Sequence, residues 1–256
     1  MKKFILFLFM FFGSIFANKN IFDHPKIQQP NLPLIHETGN FKLYCIAEDK
    51  QISLKVLDVA EKNFEQCSIN FNHKYSNKIN LYIFHCLQDL HDAVGMPDAK
   101  DRVVNIYEPE THSFFTVNPE NHGSYCSAEE IIQLNIHGLT NLFIKDKYTK
   151  EIPFWFTHGL GLWKAKYIDK NILDDLTLNH ELVPSLQQLE NFDFSTDIHR
   201  ASSYLIVEFI NQKWGWEKIL DILEDYSSFE KILDVTEKTF RDKLINYLDN
   251  TISPKE

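Results

Sequence analysis

Beyond its first few residues the sequence has no long apolar run, and nothing in it approaches the roughly 18 residues needed to span a membrane as a helix. Basic residues are also scarce. Lys and Arg number 26 against 36 Asp and Glu, a formal charge of −10. Nucleic-acid partners are held by clustered Lys and Arg, so this balance argues against a phosphate-backbone partner, and no nucleic-acid partner is expected. The four cysteines, Cys45, Cys67, Cys86 and Cys126, contain no C-x-x-C pair, which argues against a cysteine zinc site. No G-x-S-x-G follows the T-H-G-L-G at 157–161, so that glycine pair does not read as a lipase oxyanion loop. Internal repeats and low-complexity tracts are missing as well.

What is present begins with a basic, then apolar, then small-residue order: Lys2 and Lys3, the run at 4–12, then Gly13, Ser14 and Ala17. This is the order of a secretory signal with cleavage near Ala17, and it predicts export to the periplasm or beyond, with no transmembrane span left afterwards. An uncut N-terminal anchor is the alternative. Loss of Lys2 and Lys3 takes the charge to −12. An even cysteine count in a chain bound for an oxidising compartment predicts one or two disulfides of undetermined pairing; the other reading is small buried apolar side chains.

With 44% apolar and 14% aromatic residues the remainder can bury a sizeable core. Residues 18–40 carry Pro25, Pro30 and Pro33 without a sustained period and read as an arm or linker. After it, F-K-L-Y-C-I-A (41–47) is compatible with a strand. Leu54, Leu57, Ala60 and Phe64 form a helical stripe, and K-I-N-L-Y-I-F-H (78–85) alternates as a strand. A short helix from 87 leads to a hairpin around Pro109. From 127 on, helical periodicity dominates, over 127–145, 153–167, 185–191, 201–213, 216–225 and 236–249. The expectation is therefore an α+β fold, with an α+β subdomain at 41–126 and a helical one at 127–250.

The helix from 127 opens with Ser127 and Glu130, a capping box. His137 and Asn141 lie one turn apart on it. This is the spacing of the two imidazoles in H-E-x-x-H, where the glutamate acts on metal-bound water, but here the five positions read H-G-L-T-N. The next helical segment carries Pro153, Trp155, His158, Gly159, Leu160 and Gly161.

In these two segments the chain resembles the gluzincin zinc metallopeptidases, in particular the bacterial peptidase MA-like group, which pair H-E-L-x-H with a later P-x-W-x-x-E-G-L-A. Pro153, Trp155, Gly159 and Leu160 match in order, and His158 and Gly161 depart. The segments 182–192 and 203–223 and the closing T-F-R-D-K-L-I-N-Y-L look like later helices of that group, so the resemblance spans about 38–250. It implies a thermolysin-like fold, a β-rich subdomain and then a helical half bordering a cleft. It places the first metal ligand at His137, the general base at Gly138, the second ligand at Asn141 and the third at His158. Three of the four positions are changed, so the resemblance implies a catalytically inactive, pseudo-peptidase-like protein without a cofactor, whose cleft binds a peptide or protein. In this reading His137 and His158 are partly buried imidazoles hydrogen-bonded to each other, to Asn141 or to backbone, and Gly138, unfavourable in a helix interior by about 1 kcal/mol, answers to a close-packed neighbour. The alternative is a metal-dependent hydrolase with a rearranged zinc site on His137 and His158, joined by a third group such as His199. A third class is a structural or adhesive secreted protein.

Helpers that hydrogen-bond a developing oxyanion would come from His199, Arg200 or Tyr204, against the alternative that Tyr204 packs. Trp155, Trp163, Trp214 and Trp216 read as core anchors. Cys126 precedes His137 closely enough to raise a Cys–His pair, with export favouring a disulfide instead. Asp174 with Glu181, Asp175 with Glu190 and Asp193 with Asp197 read as a solvated acidic region.

Overall fold

A computed structural model describes Ile27 and residues 30–99, 101, 103–168, 170–190 and 197–251. The expected signal at 1–17 lies outside the described residues. Five strands form one mixed sheet: β1 (Leu34–Glu37), β2 (Phe41–Tyr44), β3 (Ile79–Phe84), β4 (Asn105–Glu108) and β5 (Ser113–Val117). Their order is β1-β2-β3-β5-β4. The central β2, β3 and β5 are parallel, and β1 and β4 are antiparallel edges.

Three helices accompany the strands or follow them directly: α1 (Lys50–Asn70), α2 (Leu87–Ala93) and α3 (Ala128–Lys147). The rest are α4 (Phe154–Ala165), α5 (Lys170–Leu178), α6 (Leu186–Glu190), α7 (Asp197–Trp214), α8 (Trp216–Glu224), α9 (Phe229–Leu233) and α10 (Glu237–Thr251). The α+β class and the strands-then-helices order are as expected.

The central strands are covered on both faces, which explains why β3 is buried on both sides although its sequence alternates. Leu81, Ile83 and Phe114 face the main core with Val56, Leu57 and Phe64 of α1 and Leu139 and Phe143 of α3. Tyr82, Phe84, Phe115 and Val117 face a second cluster with Leu90, Ile131 and Leu162. The main core continues through Trp155 and Leu160 to Phe209, Phe240 and Leu248, so one apolar cluster crosses residue 126. Polar ties cross it as well. Lys147 Nζ donates to Phe71 O at 2.8 Å and Trp216 Nε1 to Asn70 O at 2.9 Å, which satisfies carbonyls at the C-terminus of α1.

Three expectations are corrected. The segment 18–40 is not wholly an arm. Leu34–Glu37 pairs with β2, while Ile27 and Leu32 pack on the second cluster. An exposed edge strand carries no alternation to read, because neither of its faces is deeply buried. The predicted disulfides are not made: all four cysteines are free thiols, and Cys45, Cys67 and Cys126 are buried, as the alternative reading of small buried side chains has them. Cys67 Sγ lies 4.0 Å from Thr140 Oγ1 in the core, and Cys126 Sγ lies 3.5 Å from Tyr167 Oη. Burial pushes the Cys67 thiol up to about 11. Helices α5 and α9 are additions to the expected set. Trp155 is fully buried, and Trp163, Trp214 and Trp216 pack against the main core, in keeping with their reading as anchors.

Candidate functional site

The capping box starts α3 as expected. Ser127 Oγ accepts from Glu130 N at 3.2 Å, and Glu130 Oε2 accepts from Ser127 N at 2.7 Å. This fixes the register that sends His137 and Asn141 to one face, toward α4, which starts at the N-cap Pro153. There the two imidazoles meet. His137 Nε2 and His158 Nδ1 are 3.0 Å apart, one ring donating to the other, and the rings are perpendicular with centroids 4.8 Å apart. Phe154 stacks on His158 at 5.3 Å, and the Tyr107 ring lies edge-on to His137 at 6.5 Å.

Both imidazoles are buried, and the burial sets their charge. Loss of hydration lowers His137 to about 3, with a smaller contribution from the positive charge of Arg200. His158 is lowered well below its ordinary value, first by burial and then by His137 and Arg200. The pair is therefore neutral around pH 7.

Glycines make the approach of α3 and α4 feasible. A Cβ at Gly161 would sit 3.1 Å from His137 Cγ and 3.0 Å from Asn141 Nδ2, closer still to the ring edge. On the other side of α4, a Cβ at Gly159 would lie 2.6 Å from the Ser203 carbonyl carbon of α7. Gly138 is the most constrained of the three. Its missing Cβ would overlap the Phe114 ring of β5, 2.6 Å from Cδ2 and nearer to Cε2. Where the resemblance puts a general base, an aromatic ring lies flush against the helix backbone.

Asn141 Nδ2 donates to His137 O at 2.9 Å, a bond back along its own helix, and its Oδ1 is buried without a hydrogen bond among the described residues. A catalytic zinc ion needs three protein ligands and an open position for water. These residues do not fit one. The two ring nitrogens are hydrogen-bonded to each other, the amide is turned onto the helix, and no carboxylate stands at 138. Among the described residues, no group of three or more His, Cys, Asp or Glu is arranged to hold a metal ion.

The other singled-out residues separate. Tyr204 packs in the second cluster, so the packing alternative holds for it. His199 is half-buried, and its carbonyl accepts from Ser203 Oγ at 2.7 Å. Arg200 does reach an opening. It lines a cavity of about 370 Å³ with Tyr125, Glu130, Leu162 and Tyr167, and donates to Tyr125 Oη at 3.2 Å and Asp197 Oδ1 at 3.4 Å. Asp174, Asp175, Glu181 and Glu190 are exposed, as a solvated region would have them, and Asp193 lies outside the described residues. The close neighbour expected from glycine in a helix interior is present, and the structure supplies the identity that the sequence did not, Phe114.

No family model and no curated protein matches the chain.

Proposed function

We propose that the chain is an exported, non-catalytic relative of the gluzincin, peptidase MA-like zinc metallopeptidases, with a cleft that takes a peptide or protein segment. The observation that carries this reading is Gly138 beneath Phe114. General-base catalysis typically contributes about 10²- to 10⁴-fold in rate, and at this position the space for a base is filled by a core aromatic. The joined neutral imidazoles agree with it, being the expected first and third ligand positions brought together with each other as partner. The thermolysin-like assignment belongs to the same proposal. It is supported by the order of sheet, α3 and α4 and by the meeting of His137 with His158.

The binding surface of this reading is the opening beside Arg200, where tyrosines and a partly buried guanidinium suit peptide carbonyls. Export rests on residues 1–17. No helix among the described residues is long and apolar enough to cross a membrane.

Two assays test the reading. Purified protein incubated with denatured protein and peptide libraries leaves them intact, with or without 1,10-phenanthroline; hydrolysis abolished by the chelator would contradict the proposal and favour a rearranged site on His137 and His158. Peptide-array binding that falls on Arg200→Ala supports the cleft, and binding unchanged by that variant argues against it.

A further inference from the structure

A second constellation lies at the carboxyl ends of the three parallel strands. His85 follows β3 directly, Asn118 follows β5 directly, and Asp49 stands between β2 and α1. Because β2, β3 and β5 run in the same direction, all three residues come to one edge of the sheet, the edge at which open parallel sheets form ligand crevices.

The three are joined in series. Glu120 N donates to Asn118 Oδ1 at 2.8 Å, which fixes the amide so that Asn118 Nδ2 donates to Asp49 Oδ1 at 2.8 Å. Asp49 lies 3.1 and 3.2 Å from His85 Nδ1 through its two oxygens. Asp49 is only 5% exposed and occupies the N-cap position of α1, yet its side chain makes no capping bond. An aspartate there ordinarily accepts from the first-turn N–H groups; this one is turned to His85 and Asn118 instead. A carboxylate can only accept, so Nδ1–H donates to Asp49 and Nε2 is the ring nitrogen left to take a hydrogen bond from a ligand.

His85 lines an open cavity of about 460 Å³, with Asp89 and Asp92 on one wall and Leu32, Ile46 and Phe84 among its apolar residues. Among the described residues, no Lys or Arg lines it. A mostly apolar cleft with a few fixed polar groups is the usual form of a small-molecule site, and here the fixed groups accept hydrogen bonds. We propose that this cavity binds a small organic ammonium with an apolar body, the ammonium N–H groups donating to His85 Nε2 and to Asp89 or Asp92. This site is independent of the His137 junction and of the function proposed for it.

The test uses the full chain near pH 7.5 with phenethylammonium as probe and 3-phenylpropionate as its anionic counterpart, read from the imidazole carbon–proton signals of His85, assigned with His85→Gln. Phenethylammonium is expected to shift those signals saturably and the anion to leave them unmoved. Asp89→Asn with Asp92→Asn, both at exposed positions, weakens binding about ten-fold, as does Asp49→Asn through loss of the orienting carboxylate. No saturable shift at millimolar probe would overturn the proposal, as would equal shifts from both probes or binding unchanged in the Asp89/Asp92 double variant.

Discussion

At the residue scale, Gly138 decides more than any other position. Alanine in place of glycine inside a helix ordinarily stabilises by about 1 kcal/mol. Here the added Cβ meets the Phe114 ring, so Gly138→Ala is expected to destabilise by about 1–3 kcal/mol, the range of overpacked cores. Adding Phe114→Leu recovers part of the loss, and denaturant unfolding of both variants checks it. The imidazole pair gives a second prediction. Each folded-state pKa is depressed below the ordinary value of about 6.5, so the unfolded chain binds more protons and stability falls as pH drops below that value. Between pH 7 and pH 5 the loss from His137 alone, lowered to about 3, is roughly 2 kcal/mol, and His158 adds to it in the same direction. In His137→Gln/His158→Gln that loss is smaller, which unfolding curves at the two pH values measure. The sequence made His137, Asn141 and His158 legible as one constellation because helical spacing fixes their faces. Buried imidazoles bonded to each other, to Asn141 or to backbone, and a close neighbour at Gly138, were legible as expectations; which partner is used and that the neighbour is Phe114 were not, since both depend on how close α3 comes to α4 and β5.

The element scale separates strong local signals from weak ones. Helix α3 announces itself through Ser127 and Glu130, and the reciprocal bonds form. Ser127→Ala is expected to cost about 1 kcal/mol, read as a lowered midpoint in thermal unfolding. Helices α4, α7, α8 and α10 follow their apolar periodicity to within a few residues. The edge strand β1 and the helices α5 and α9 escaped, being exposed, acidic or too short for a period to register. The placement of α3 against β5 also limits reconstruction. The triple change Gly138→Glu, Asn141→His and His158→Glu would install the ligand pattern of the metallopeptidases the sequence resembles, but a glutamate at 138 cannot enter beneath Phe114. That variant is expected to take up no zinc by equilibrium dialysis unless Phe114 is also trimmed.

For the whole molecule, one sheet presents two different places where chemistry-bearing side chains gather. At the junction of α3 and α4, two imidazoles are buried, neutral and bonded to each other. At the carboxyl ends of β2, β3 and β5, an imidazole is held by a buried carboxylate and faces an open cavity. The first was visible from linear motifs; the second needed the strand order, because Asp49, His85 and Asn118 share no local pattern. The proposed function rests on the first, read as a metallopeptidase-like junction without the means to hold a metal ion or activate water. Elemental analysis of the protein purified without chelator tests it most directly. Far less than one equivalent of zinc or any other transition metal per chain is expected; about one equivalent, released by His137→Ala, would contradict the proposal.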